Sequence, residues 1–150
     1  MTPPFGSAVF LDANILIYMI FEESPFHDAT IRRVRELESA RVQFWASRQV
    51  LREYLSSASR PGNFRPQPSP HALATAVRHF QAKFQIADDD VGVTDALLDL
   101  IETRTIQGKQ IHDANIVATM RSNGIKWLLT HNTSDFARYA PTITVLPLLL

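Results

Sequence analysis

The sequence predicts an α/β sandwich built around a mostly parallel sheet. Short apolar runs alternate with longer amphipathic segments along the 150 residues. The short runs are apolar throughout rather than at every second position, as expected for strands that are covered on both faces. Strands that alternate with helices in this way favour a parallel sheet flanked by helices.

The N-terminal segments follow this alternation. The run AVFLD, which begins at Ala8, predicts a buried strand. The run ILIYMIF predicts a helix that ends at Pro25, with Asn14 as its N-cap because an amide oxygen accepts from free backbone N–H groups. Apolar residues recur at three-residue spacing in DATIRRVRELESA, which indicates an amphipathic helix.

The middle of the chain holds a second strand, two helices and a loop. VQFWAS predicts the strand, and Ser47 at its end can cap a helix over RQVLREYLSSAS. Four prolines and one glycine in RPGNFRPQPSP predict a surface loop at about residues 60–70. The last of these prolines suits the first turn of a helix over PHALATAVRHFQAKF, because the N–H that proline lacks is not needed there.

The C-terminal half repeats the pattern. Ile86 and Ala87 form a candidate short strand, and TDALLDLIETRTI predicts a helix. A further helix over IHDANIVATMRSNG ends at its glycine, a residue type common just past helix C-termini. KWLLT and TITVLPL predict the last two strands.

Composition limits the classes of function. Hydrophobic residues make up 45% of the chain, which suits a single domain over residues 1–150. The absence of cysteine excludes disulfides, thiolate zinc sites and cysteine nucleophiles, and it fits a reducing cytoplasm. The apolar runs are too short to span a membrane, and the N-terminus lacks the pattern of a signal peptide. We therefore expect a cytoplasmic protein without a membrane partner.

Charge is distributed unevenly, although the formal net charge is zero. Ten basic and four acidic residues lie between His27 and Phe84, whereas acids outnumber bases on both sides of this span. A basic region of this kind can contact phosphates, but it can equally be a set of solvated helix faces.

Four carboxylates lie where a parallel sheet would bind a ligand, beyond the carboxyl ends of its strands. Asp12 ends the first strand, Asp135 follows KWLLT, and Glu53 and Asp113 lie among apolar residues on helices. Each has a local alternative role, as a helix cap, in a helix dipole, in a turn or in an ion pair with a nearby arginine. Carboxylates that converge on one pocket repel each other unless a cation neutralises them. Mg²⁺ or Mn²⁺ is the expected cation, because both prefer oxygen ligands.

Four segments in order resemble the motif regions of PIN-domain ribonucleases, most closely the VapC-type toxins of type II toxin–antitoxin pairs. They are VFLDANILIY, RQVLREYL, GKQIHDANIVATM and LLTHNTSDF. The resemblance runs from about Ala8 to Leu146 and implies a three-layer α/β/α fold with a mostly parallel central sheet.

The same resemblance implies roles for particular residues. The catalytic acids of the family correspond to Asp12, Glu53, Asp113 and Asp135. Three of these acids, Asp12, Asp113 and Asp135, would bind the metal, and Glu53 would orient the attacking water. Asn14, Thr130 and Asn132 would position the carboxylates or the substrate.

The implied protein is a metal-dependent endoribonuclease that uses Mg²⁺ or Mn²⁺, holds RNA on its basic region, forms a homodimer and is inhibited by a cognate antitoxin. Two related readings stay open, namely an RNA-processing PIN nuclease without an antitoxin and a non-catalytic PIN-like module that binds RNA or protein. A phosphatase of the haloacid dehalogenase type is disfavoured. Such enzymes need a second aspartate two residues after the first, and Asn14 occupies that position.

Overall fold

The computed structural model describes residues 1–149, which form five strands and seven α-helices. In chain order these are β1 (Ala8–Leu11), α1 (Ala13–Ile20), α2 (His27–Ser39), β2 (Gln43–Ser47), α3 (Arg48–Ser59), α4 (Pro70–Lys83), β3 (Gln85–Ala87), α5 (Val91–Thr103), α6 (Gln110–Ser122), β4 (Trp127–Thr130), α7 (Thr133–Phe136) and β5 (Thr144–Pro147). A 3₁₀ turn, Ala137–Tyr139, follows α7. Within the described residues, no helix is long and apolar enough to cross a membrane.

All five strands run parallel, in the order β3-β2-β1-β4-β5. The central strand is β1, in which Phe10 lies beside Trp45 of β2 and Leu128 of β4. The chain therefore builds one side of the sheet outwards from β1 and then returns to build the other side. The prediction of a mostly parallel sheet is confirmed.

Helices cover both faces of this sheet. α1 packs against α2 and α3, and α3 packs against α4, whereas α5 and α6 pack against each other. Because parallel crossovers are right-handed, connections that run in opposite directions across the sheet place their helices on opposite faces. The result is the three-layer α/β/α fold that the resemblance implied.

The two strands at the centre of the sheet are buried on both faces. Val9, Phe10 and Leu11 of β1 have no exposed surface, and neither have Leu128 and Leu129 of β4. This burial explains why β1 is apolar throughout and β4 is apolar up to Thr130, and it fixes the backbone from which the polar residues at the carboxyl ends extend.

Local sequence signals place several boundaries correctly. The Ser47 hydroxyl accepts from the Val50 N–H at 3.2 Å and starts α3, and Pro70 lies in the first turn of α4. Residues 60–69 contain neither helix nor strand, as predicted. The aromatic ring of Phe64 in this loop stacks on Phe21 with 3.7 Å between ring centres, so the loop is packed against the end of α1.

Three helix boundaries differ from the prediction. α1 begins at Ala13 with Asp12 as its N-cap, so Asn14 is not the cap, and it ends at Ile20, before Pro25 is reached. α5 begins at Val91 because the side chain of Asp90 caps it. The segment expected to be only a turn around Asp135 contains the four-residue helix α7, which is too short to show a helical period.

Candidate active site

The candidate site lies between β1 and β4, where the direction in which the chain connections cross the sheet reverses. β1 pairs with β2 on one side and with β4 on the other, and the connections from these strands leave in opposite directions. Such a switch point leaves a crevice at the carboxyl ends of the strands. Asp12 follows β1 and Thr130 ends β4, and the Asp12 N–H donates to the Leu129 carbonyl at 3.1 Å.

Asp12 is held rigidly at this crevice. One carboxylate oxygen accepts from the Ala13 N–H at 2.7 Å, and the other accepts from the Thr130 hydroxyl at 2.7 Å. The second oxygen also accepts from the Asn14 amide at 3.4 Å. Only 6% of Asp12 is exposed, so the sequence correctly marks it as a carboxylate in costly surroundings.

Asn14 and Thr130 link the two strand ends to each other. The Asn14 amide donates to the Thr130 hydroxyl oxygen at 3.3 Å, while its own oxygen accepts from the His131 N–H at 3.3 Å. The Thr130 hydroxyl oxygen also accepts from the Asn132 N–H at 3.0 Å. Asn14 and Thr130 therefore meet at Asp12, whereas Asn132 reaches the cluster through its backbone and its side chain is exposed.

The pKa of Asp12 is raised, chiefly because burial disfavours the charged form. The hydrogen bonds from Thr130 and Ala13 oppose this effect, and the charge of Asp135 adds to it. Thr130 thus lowers the cost of keeping a buried carboxylate ionised.

Glu53 reaches the site from α3 and is fixed by a glutamine one turn earlier. Its Oε1 accepts from Gln49 Nε2 at 2.9 Å. The same Gln49 amide donates to the His112 carbonyl of α6 at 2.8 Å, and Gln49 Oε1 accepts from the Asn115 side chain at 2.8 Å. Gln49 therefore joins the two helices that carry Glu53 and Asp113.

Sequence reasoning did not identify Gln49 or Asn115. The available signal was a glutamine four positions before Glu53, which puts the two side chains on the same face of the helix. Burial raises the pKa of Glu53, the Gln49 hydrogen bond lowers it, and the charge of Asp12 raises it again.

Asp113 lies in the first turn of α6 and is half-buried. Burial, and then the charges of Asp12, Asp135 and Glu53, raise its pKa to about 6. Its carboxylate accepts no hydrogen bond from any residue in the range 1–149. The four predicted acids therefore lie within electrostatic reach of one another, as a shared pocket requires.

Two cavities adjoin these acids. One, of about 150 Å³, is lined by Asp113 and Asp135 together with Gln110, Ser134, Arg138 and Tyr139. The other, of about 290 Å³, is lined by Glu53 together with Gln49, Arg52, Ser56 and His112. Asp135 itself is exposed on α7.

None of the four acids forms an ion pair with a basic side chain in the described part of the chain. The alternative that Glu53 pairs with Arg48 or Arg52 is not observed, because Arg48 lies 3.1 Å from Asp88 and Arg52 lies 3.9 Å from Asp89. Thus no direct ion pair neutralises the cluster within residues 1–149, and Arg52 and His112 act on Glu53 only as more distant charges.

The donor chemistry of the cluster fits a hard divalent cation, since all four groups supply carboxylate oxygens that repel one another. The side chains are not, however, arranged in this structure as a complete set of metal ligands. Among residues 1–149, no three His, Cys, Asp or Glu side chains are arranged as a group that could hold a metal ion. Of the three proposed metal ligands, Asp12 is held by hydrogen bonds, Asp113 is half-buried and Asp135 is exposed.

Comparison with known proteins gives one sequence match and several structural ones. The chain matches the PIN domain family over residues 9–141. Among curated protein sequences, none matches.

Solved structures share the fold at low sequence identity. A structure of VapBC2 from Rickettsia felis bound to a promoter DNA fragment is 19% identical, with a TM-score of 0.66 over 93% of this chain and 98% of that chain. A toxin–antitoxin complex from Klebsiella pneumoniae is 23% identical, with a TM-score of 0.64 over 95% and 98% of the two chains. VapC20 from Mycobacterium tuberculosis, a Sarcin-Ricin loop cleaving toxin, is 15% identical, with a TM-score of 0.62 over 84% and 92%.

Proposed function

The chain belongs to the PIN domain family, and we propose that it is a metal-dependent endoribonuclease that acts as the toxin of a toxin–antitoxin pair. One observation carries the nuclease proposal. Four carboxylates lie around the switch point of the sheet, neighbouring acids help to raise the pKa of Asp12, Glu53 and Asp113, and none of the four forms an ion pair within residues 1–149. A cluster of this kind is costly unless it binds a cation, and a divalent cation can activate a phosphodiester for hydrolysis.

Asp12, Asp113 and Asp135 would hold the cation, which is Mg²⁺ or Mn²⁺. When bound, the ion supplies Lewis-acid stabilisation of the phosphate charge and lowers the pKa of water. Thr130 and Asn14 keep one Asp12 oxygen oriented through their hydrogen bonds. Orienting interactions of this type are worth roughly 10- to 100-fold in metal affinity or activity.

Glu53 would orient the water that attacks phosphorus and accept its proton. Burial raises the pKa of Glu53, and a carboxylate of higher pKa is a better proton acceptor. Gln49 fixes the Glu53 oxygen at 2.9 Å and leaves the other oxygen available to water. Asn132, exposed at the end of β4, would contact the substrate phosphate.

RNA cleavage tests the enzymatic part of this proposal. Purified protein would be incubated with labelled tRNA, rRNA fragments and mRNA in Mg²⁺, in Mn²⁺ and in EDTA. We expect cleavage with either ion, none in EDTA, and a loss of at least about 100-fold for Asp12→Asn and for Asp113→Asn. Asp95→Asn, an exposed acid on α5, is the matched control and should cleave at the wild-type rate. Equal rates for folded wild type and both site variants would show that these acids do not catalyse the reaction.

The toxin role is supported by the structural neighbours, whose names describe VapBC complexes and VapC toxins. It implies a cognate antitoxin, a homodimer and action in the cytoplasm. Expression in a bacterial host should arrest growth, and Asp12→Asn should relieve the arrest. If growth arrest persists in this variant, the toxicity does not depend on this acidic site. A normal growth rate with full RNA cleavage in vitro would favour a nuclease of RNA processing instead.

A further inference from the structure

Two arginines flank a buried tyrosine at the edge of the active-site cavity. The guanidinium carbons of Arg104 and Arg138 lie 5.5 and 5.7 Å from the ring centre of Tyr139. Arg138 and Tyr139 line the same cavity as Asp113 and Asp135. We refer to Arg104, Arg138 and Tyr139 as the arginine clasp.

Backbone carbonyls hold the arginine clasp in place. Arg104 Nη1 donates to the Arg138 carbonyl at 2.9 Å, and Arg138 Nη2 donates to the Thr105 carbonyl. These bonds join the end of α5 to the 3₁₀ turn after α7. Because both acceptors are uncharged, the hydrogen bonds position the guanidinium groups without neutralising them.

The charge of the clasp contrasts with that of the other arginines near the site. Arg48 and Arg52 are paired with Asp88 and Asp89. Neither Arg104 nor Arg138 forms an ion pair with any carboxylate in the described part of the chain. Arg138 therefore brings a guanidinium group without an ion pair to the cavity that Asp113 and Asp135 also line, while Arg104 lies over the Tyr139 ring beside it.

The clasp also contains donors that lack an acceptor. The Tyr139 side chain is 1% exposed, and its hydroxyl has no hydrogen-bond partner within residues 1–149. Arg104 Nε is likewise buried without a partner there. Both atoms are buried and out of reach of a ligand in this structure. The group that favours an anion with several oxygens is therefore the exposed guanidinium of Arg138, which has no ion-pair partner within residues 1–149.

We propose that the arginine clasp binds the phosphodiester that neighbours the scissile one in the RNA strand. This inference rests on the nuclease function proposed above. A guanidinium group presents donors in a plane that matches two phosphate oxygens, and Arg138 is the exposed member of the clasp. Binding of the neighbouring phosphate would place the scissile linkage over Asp113 and Asp135. Arg138 is thus a positioning residue that acts through substrate binding.

Neutralisation of single phosphates tests this proposal. An RNA oligonucleotide with one cleavage site is compared with a series in which one linkage at a time is an uncharged methylphosphonate. For the wild type, we expect kcat/KM to fall roughly tenfold when one particular linkage beside the scissile one is neutral, because one charge-assisted contact is lost.

Arg138→Gln should lose a similar factor on unmodified RNA, mainly through KM, and show no further loss at that linkage. Its binding of RNA should also have a salt slope smaller by about 1. Arg121→Gln, an exposed arginine in the last turn of α6, is the control and should keep the wild-type penalty. Arg138→Lys keeps the positive charge but loses the planar pair of donors, so it should fold and reduce the penalty in part even if Arg138→Gln does not fold.

The two proposals fail in different ways. A folded wild type that cleaves no RNA in Mg²⁺ or Mn²⁺ overturns the nuclease function, and the clasp proposal with it. A wild type that cleaves RNA, while the folded clasp variants keep the wild-type penalty at every neighbouring linkage, overturns the clasp proposal alone. In that case the clasp only ties α5 to the 3₁₀ turn.

Discussion

Asp12 and Asp113 lie on two sides of one pocket, and their surroundings differ. Asp12 is 6% exposed and accepts hydrogen bonds from Ala13, Thr130 and Asn14. Asp113 is half-buried, accepts none within the described residues, and has its pKa raised to about 6. The strand-end side of the pocket is therefore fixed by its own hydrogen bonds, whereas the helix side has a carboxylate whose charge is opposed mainly by burial and by its acidic neighbours.

The two carboxylates therefore differ in what opposes their negative charge: burial that hydrogen bonds offset at Asp12, and burial together with repulsion from other acids at Asp113. On the Asp12 side, neutral donors stabilise the negative charge, so the carboxylate is oriented before any ligand binds. On the Asp113 side, no hydrogen bond from the described residues offsets the repulsion, which would persist until the proposed cation binds. Substitutions on the two sides should therefore have opposite effects on the stability of the metal-free protein.

The largest effect is expected from Asp113→Asn, which should change RNA cleavage and protein stability in opposite directions. RNA cleavage should fall at least about 100-fold, because a proposed metal ligand is lost. The free energy of unfolding of the metal-free protein at pH 7 should nevertheless rise, because repulsion from Asp12, Asp135 and Glu53 is removed. Urea denaturation in EDTA measures the second effect, with Asp99→Asn on the exposed face of α5 as the control. A less stable Asp113→Asn protein would contradict the account of repulsion.

Thr130→Val should affect the other side of the pocket. Thr130 is fully buried and donates to Asp12, so its loss should lower the free energy of unfolding by about 1–2 kcal/mol. Cleavage should fall roughly 10- to 100-fold, because Asp12 loses an orienting partner. Thr30→Val is a matched control, since Thr30 is also fully buried but its hydroxyl donates to the Phe26 carbonyl on α2. If both variants cleave RNA equally well, the Thr130 hydroxyl has no role in the site.

The sequence was sufficient for the fold because its signals are local. Uniformly apolar strands, Ser47 before α3 and Pro70 at the start of α4 each act over a few residues. The choice of Asp12 over Asn14 as the cap of α1 could not be predicted in this way. Both residue types cap helices well, and the choice depends on Thr130, which is 118 positions away.

The candidate site was predictable as a set of acids but not as a network. The positions of Asp12, Glu53, Asp113 and Asp135 follow from the motif order, and their roles stay a prediction. The bridge made by Gln49 depends on how α3 and α6 pack, which no local pattern specifies. The clasp depends in the same way on contacts between the end of α5 and the turn after α7.

Gln49→Met tests whether the hydrogen bonds that join α3 to α6 support Glu53. Gln49 is 7% exposed and contacts Glu53, His112 and Asn115. Its replacement should lower the free energy of unfolding by about 1 kcal/mol and cleavage by roughly tenfold. Gln67 lies in the surface loop and its amide donates to the Ser59 carbonyl at the end of α3, so Gln67→Met should leave cleavage unchanged. A Gln49→Met protein with wild-type cleavage would mean that Glu53 needs no support.

The last expected effect changes only the stability of the protein: it is a pH dependence of the metal-free protein. The pKa of Asp113 is about 6 in the folded state and near 3.8 when unfolded. Between these values the folded state binds the proton more tightly, so the free energy of unfolding should fall as pH rises from about 4 to about 6 and then level off. The difference between wild type and Asp113→Asn, measured in urea across this range, isolates the contribution. A difference that is constant with pH would contradict the raised pKa.

The position of β1 between β2 and β4 has a consequence for synthesis. β1, β2 and β3 leave the ribosome first and can pair while the rest of the chain is still being made, since N-terminal parts generally fold first. Asp12 is then present, but Thr130, Asp113 and Asp135 have not yet emerged or docked. A nascent or truncated chain that lacks β4 therefore has no complete site. The connectivity of the sheet delays any activity until nearly the whole domain has been translated.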